Sequence, residues 1–403
     1  MDDSLHSNTT VVATAAKRRK VSDHHSCQTD SSSPTPPPLI PNLPDHVAQL
    51  CLSHVHPSIL YSVSQSWRRL IYSPSFPPYL SLYTLFSSKD AVFHFFNFDP
   101  ISATWQALPT PPLNNLVVRH PSFISRSLPV QSISVCGQLI VLAATTHNFF
   151  PALSRPMIFN PLSKSWAFGP PFAAPRRWCA AGEISSSVYV ASGIGSHFSN
   201  DIARSVEKWD LHDELTTTTS SVVGVGGHGG VAAARRWRWE KMRGLKDGRF
   251  CREAVDAIGW RGKLCMVNVK GDAPKEGLVY DVKEDTWRQM PEGMVAGWKG
   301  PAAAMDEETM YVVDESNGKL RKYDQELDNW VDVLESDSLK GAQQIAAGGG
   351  RVCVVCSGGG GIVVVDVVSE KPKIWVVETP PELEAVAVYI LPRMSMSQPV
   401  TDQ

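Results

Sequence analysis

The chain has 403 residues, a formal net charge of −2, 43% hydrophobic residues and 19% charged ones. That apolar fraction can build a sizeable core and excludes a chain disordered throughout. The near-neutral charge argues against a protein that coats nucleic acid or an anionic membrane. No apolar run reaches the roughly 18 to 20 residues that span a bilayer, the N-terminus lacks a secretory pattern, and eight scattered cysteines make no disulfide framework. A soluble intracellular protein is expected.

Residues 1–38 are polar, rich in Ser and Thr and finally in Pro. They predict a disordered tail, because such a stretch buries too little apolar surface to offset its ordering entropy. Within it, Lys17, Arg18, Arg19 and Lys20 resemble a nuclear import signal, which would give a nuclear and cytoplasmic location. The same cluster also reads as a solvated charge run.

At residue 39 the texture changes. Leu43, Pro44 and Asp45 open an amphipathic run with Val47, Leu50 and Cys51 at helical spacing. Pro44 suits a first turn because it lacks the donor which that position leaves unpaired. His56-Pro57 ends the run, Ile59, Leu60 and Val63 mark a second helix, and Ser66 to Leu70 a third that Ser73-Pro74 stops. Three short helices within 39–76 form a core too small to stand comfortably alone.

Residues 79–392 read as β-structure, with short Val, Ile, Tyr and Phe-rich runs between Gly, Asp, Asn and Pro turns. A repeat runs through them. Asp99, Asn160, Asp281 and Asp324 are each followed six residues later by a tryptophan: Trp105, Trp166, Trp287 and Trp330. After Asp210 the tryptophan is delayed to Trp239 by a Thr, Ser, Val and Gly tract, residues 216–230. The Trp-x-x-Met of Trp239 and Met242 matches that of Trp287 and Met290. Asp366 with Trp375 is a sixth, looser copy. Each unit of about 45 residues holds four strands, the period of a β-propeller blade. The Asp or Asn side chain holds a tight turn and the Trp forms a wedge between twisted sheets. The first unit has only three strands, and 384–391 is left over, so this last strand is expected to complete the first blade and remove an open edge. Residues 393–403 are expected to be a second disordered tail.

The leucine-proline head of 39–45 and the Ser64-x-x-Trp67-Arg68 of the third helix together resemble an F-box, and the repeats resemble kelch blades. Over 39–392 the chain is similar to the plant F-box/kelch-repeat proteins, within them to the branch of Skp-interacting partners. It departs from the kelch pattern in that the double glycine after the second strand survives only as Gly193-Ile194-Gly195 and at Gly358-Gly359. The resemblance implies a mainly β fold, a six-bladed kelch-type propeller behind a three-helix F-box. It also implies the substrate adaptor of a cullin–RING ubiquitin ligase that docks on the Skp adaptor and is itself not an enzyme. Carried over by position, Leu43, Pro44, Val47, Leu50, Leu52, Ile59, Leu60 and Val63 are the adaptor-binding candidates, some of which must be the segment's own core.

Catalytic signatures are missing: there is no Gly-x-Ser-x-Gly and no His-Glu-x-x-His. Cys353 and Cys356 form a CxxC without a second pair, and on a strand they point to opposite faces. No metal or cofactor is expected. Loops joining second to third strands, and those joining blades, share one face of a propeller. There they hold His147, Phe149, Arg176, Arg177, Trp178, His197, Phe198, Arg249, Arg252, Trp298 and Lys299, the candidates for binding a protein substrate, since aromatics and arginines are frequent interface anchors. Trp178, Phe250 and Trp298 read equally as plugs between blades. The competing function is a non-catalytic scaffold or ligand sensor outside the ubiquitin system.

Overall fold

The computed structural model describes residues 38–394 except 74, 89–91, 114–129, 147, 212–237, 253–254, 269–274 and 358–360. The basic cluster 17–20, the bulk of both expected tails and the tract 216–230 lie outside the described residues.

Three short helices come first: α1 (Asp45–Ser53), α2 (Pro57–Val63) and α3 (Gln65–Ile71). Proline stands at the first position of α2 behind His56, whose Nδ1 accepts from the Ser58 N–H. Ser64 caps α3 by accepting from the Trp67 N–H, which satisfies one of the donors a helix start leaves open.

Six four-stranded antiparallel sheets follow. The first blade combines Leu80–Ser88, Phe93–Asp99 and Thr104–Ala107 with the last strand, Leu383–Pro392, which lies innermost. This strand pairs with Leu80–Ser88 over its whole length, with one register shift between Leu85 and Phe86. The expected closure is therefore present. Strands 130–168, 180–241, 255–289, 302–335 and 342–377 make the second to sixth blades. Among the described residues two short helices interrupt the β pattern, α4 (Asn200–Arg204) and α5 (Glu292–Gly297).

The repeat has the physical basis expected of it. Asp99, Asn160, Asp281, Asp324 and Asp366 each close the turn between third and fourth strands by accepting from the N–H two residues on, at 2.9 to 3.1 Å. The residue before the Asp or Asn faces the tryptophan across the strand pair. Phe98–Trp105, Phe159–Trp166, Tyr280–Trp287 and Tyr323–Trp330 have ring centroids 5.0 to 5.2 Å apart. Trp239 lies 5.7 Å from Trp209, one step beyond the Lys208–Glu240 pair, so it is the delayed partner. Each indole also donates to a carbonyl just past the outer strand of the preceding blade. Trp105 reaches Glu378, Trp166 reaches Pro109, Trp239 reaches Pro170, Trp287 reaches Arg243 and Trp330 reaches Met294 in α5. Gly297 lets the Trp330 ring approach α5, since a β-carbon there would sit 1.9 Å from it.

The sixth blade breaks the pattern, and Trp375 is not a copy of the wedge. Asp366 pairs with Lys373, which sets Ile374 opposite Val365 in the wedge position. Side chains alternate faces along a strand, so Trp375 points to the other side and is 40% exposed. Among the described residues the buried apolar side chains of the blades form six clusters, one in each seam between neighbouring blades. Cys353 belongs to the cluster between the sixth and first blades, and Cys356 packs on the one between the fifth and sixth. The two thiols thus lie on opposite faces of their strand.

Candidate functional site

Two ends of the propeller must be distinguished. One, the turn end, carries the turns between first and second and between third and fourth strands. The other, the loop end, carries the longer second-to-third loops and the connections between blades.

The end of α3 is fastened to the turn end. The Tyr72 hydroxyl donates to Asp99, and the Tyr79 hydroxyl donates to the same carboxylate at 3.3 Å. Burial and this carboxylate push both phenol pKa values upward, so both remain protonated donors. Arg393 and Met394 are buried, so the ordered chain extends past the boundary expected at 392. Arg393 donates to the carbonyls of Tyr72, Ser73 and Phe76.

The adaptor-binding candidates separate by burial. Leu52 and Leu60 are buried and belong to the packing of their own helices, which removes them from any contact surface. Leu50, Ile59 and Val63 are 66%, 56% and 55% exposed. Leu43 and Val47 are half-buried and Pro44 is exposed. Exposed leucine, isoleucine and valine on helices that bury Ala48, Leu52 and Leu60 form an apolar surface open to a partner.

At the loop end the nine candidates with described side chains do not form one site. Arg176 is corrected to a structural residue: it is 2% exposed and forms a buried ion pair with Glu207, and it also donates to Ser205 Oγ at 2.7 Å and to the Ser192 carbonyl. Trp298 is fully buried in the seam between the fourth and fifth blades, with its indole donating to Asp256, so it is a plug, as Phe250 is in the preceding seam. Arg249 is exposed but paired with Asp247 and Glu276. Arg177 and Trp178 are half-buried, and His197, Phe198 and Lys299 are exposed. Phe149 is half-buried with φ +59°. His147 and the Arg252 side chain lie outside the described residues.

The innermost strands surround a central cavity of about 640 Å³. Side-chain amides bridge its wall from blade to blade. Gln131 holds the Cys179 peptide, donating to its carbonyl and accepting from its N–H at 2.8 Å. Gln344 does the same for Val388, at 3.1 and 2.8 Å. These two-point bonds satisfy strand groups that a blade cannot pair within itself, and nothing in the amino-acid order marked them. No cluster of metal-ligating side chains occurs among the described residues.

The architecture is that of a six-bladed propeller with the end of α3 fixed to its turn end and apolar residues exposed on α1 and α2. No family model matches the chain. It is 47% identical over 373 residues to the F-box/kelch-repeat protein SKIP25 of Arabidopsis thaliana, an alignment covering 89% of this chain and 90% of the relative. It is 24% identical over 293 residues to the F-box protein AFR of the same plant, covering 69% of each. The chain belongs to the F-box/kelch-repeat family.

Proposed function

We propose that this chain is a substrate-recognition adaptor of a Skp–cullin–F-box ubiquitin ligase and performs no chemistry itself. The observation that carries the reading is the exposure of Leu50, Ile59 and Val63 on α1 and α2, in a chain whose family is F-box/kelch-repeat. In this reading those residues, with Leu43, Pro44 and Val47, contact the Skp adaptor, and through it the cullin–RING assembly. The attachment of α3 at the turn end leaves the loop end free for a protein substrate. A nuclear and cytoplasmic location, resting on residues 17–20 of the sequence, belongs to the same reading.

The test is co-purification of the full chain with the Skp adaptor and cullin, compared with the triple variant Leu50→Ser, Ile59→Ser, Val63→Ser. Point variants are preferred to deletion of 39–76, which would also remove the carbonyls that hold Arg393. The expected result is binding by the parent and none by the variant at unchanged thermal stability. Full binding by the variant would overturn the residue assignment. No binding by the parent would favour the scaffold, with 39–76 acting as a cap on the propeller.

A further inference from the structure

Between the second and third blades the chain is pinned at two points three residues apart. Arg176 is anchored through its buried guanidinium to Glu207, Ser205 and the Ser192 carbonyl, and Cys179 is anchored by the Gln131 amide. The dipeptide between them, Arg177 and Trp178, is held on a fixed frame. Its Arg177 main chain exchanges two hydrogen bonds of 2.9 Å with Ile194 in the second-to-third loop of the third blade. Trp178 takes φ +53°, a left-handed conformation that bulky residues avoid. Such strain persists only where surroundings impose it and gathers at ligand-holding positions.

Among the described residues the charge on this frame has no counter-ion. The Arg177 guanidinium carbon lies 4.5 Å from the Trp178 ring centroid. Its Nε is buried without a hydrogen-bond partner, and among the described residues no carboxylate pairs with it. Burial pulls its pKa downward. The neighbouring candidates differ: Arg176 is neutralised by Glu207, and Arg249 by Asp247 and Glu276. A partly desolvated cation without a partner is unfavourable until an oxyanion meets it. The planar fork of a guanidinium, here backed by an indole, suits a carboxylate or phosphate with two acceptor oxygens.

We propose that Arg177, backed by Trp178, is the anchor subsite for an oxyanion carried on an extended peptide, the acidic side chain by which a protein substrate is held at the loop end. This rests on the reading of the propeller as the substrate-holding part. Exposed His197 and Phe198, on the loop that Ile194 bonds to Arg177, supply further contact surface beside it.

The test uses immobilised peptides with one fixed central residue, Glu, phosphoserine or Gln, and randomised flanks, incubated with the full chain. We expect retention on Glu or phosphoserine peptides about ten-fold or more above Gln, the scale of a charge-assisted hydrogen-bond pair. Whichever of the two is preferred identifies carboxylate or phosphate. The Arg177→Gln variant should lose the preference and Arg177→Lys retain part of it. Among the described residues the Arg177 side chain has no polar partner to lose, so the Gln variant should melt close to the parent. Equal retention of all three peptides, or a preference unchanged in Arg177→Gln, would overturn the subsite. Skp co-purification with the same preparations separates the two readings. Skp binding without acidic preference removes the subsite alone, and acidic preference without Skp binding removes the ligase reading alone.

Discussion

Arg393, the first residue past the closing strand, donates through Nη2 to the carbonyl of Ser73 at 2.6 Å. The same guanidinium reaches Tyr72 at 3.2 Å and Phe76 at 3.4 Å and lies over the Tyr79 ring. These carbonyls follow the C-terminus of α3, where the backbone leaves acceptors unpaired and the helix dipole favours a cation. One side chain thus ties the end of α3 to the strand that closes the propeller.

Replacing Arg393 by Met keeps much of the volume and strands the three carbonyls. Each unsatisfied buried polar group is destabilising by about 1 to 3 kcal/mol, and partial hydration will recover some of that. The expected loss is roughly 2 to 4 kcal/mol in urea denaturation, with faster proteolysis within 72–79. A variant within about 0.5 kcal/mol of the parent would show the tie to be dispensable.

Removing residues 383–403 deletes the innermost strand of the first blade, including buried Val388, Tyr389 and Leu391, and exposes the edge of Leu80–Ser88. Loss of a cooperative thermal transition is expected in calorimetry. A truncated chain that melts cooperatively at the parent temperature would refute the closure.

The tryptophans offer an internal contrast. Trp166→Ala removes an inter-blade wedge and should destabilise by about 3 to 5 kcal/mol, while Trp166→Phe keeps the ring against Phe159 and loses the bond to Pro109, about 1 kcal/mol. Trp375→Ala removes a side chain that is 40% exposed on the opposite face of its strand, beside the first blade, and should fall within about 1 kcal/mol of the parent. Comparable losses at Trp166 and Trp375 would mean that both indoles are wedges.

The blade pattern was legible because its causes are local. An Asp or Asn closes its own turn, and a fixed number of residues then brings the next ring opposite the last. The same logic explains the error at Trp375. In the first blade Asp99 pairs with Thr104, five residues on, whereas Asp366 pairs with Lys373, seven on. A turn two residues longer moves the wedge position to Ile374. Charge partners were not legible, because they are tertiary: Glu207 lies 31 residues from Arg176, and Ser73 lies 320 from Arg393. Helical spacing marked Leu52 and Leu60 as apolar positions, as it did Leu50 and Ile59, but only the packing of the helices separates core from surface.

At the turn end of the central cavity Glu183 accepts from the Cys136 N–H at 3.1 Å. Burial, the largest cause, pushes its carboxyl up from 4.5 to about 7. The Cys136 hydrogen bond opposes this and the nearby Glu307 adds to it. Glu307, which accepts from the Ser185 N–H at 2.7 Å, is also raised by burial. A folded-state pKa above the unfolded value means that the folded protein binds the proton more tightly. This contribution to stability is fully present below about pH 4.5 and is lost as pH rises through 7. Glu183→Gln retains an acceptor for Cys136 and removes the titration. The variant should therefore be more stable than the parent at pH 8, by roughly 1 to 3 kcal/mol after solvent screening, with the difference shrinking towards zero near pH 4.5. Urea midpoints of both proteins at pH 5, 6.5 and 8 measure this. A constant difference across the three, or a variant weaker than the parent at pH 8, would show that Glu183 stays ionised and is held by its hydrogen bond.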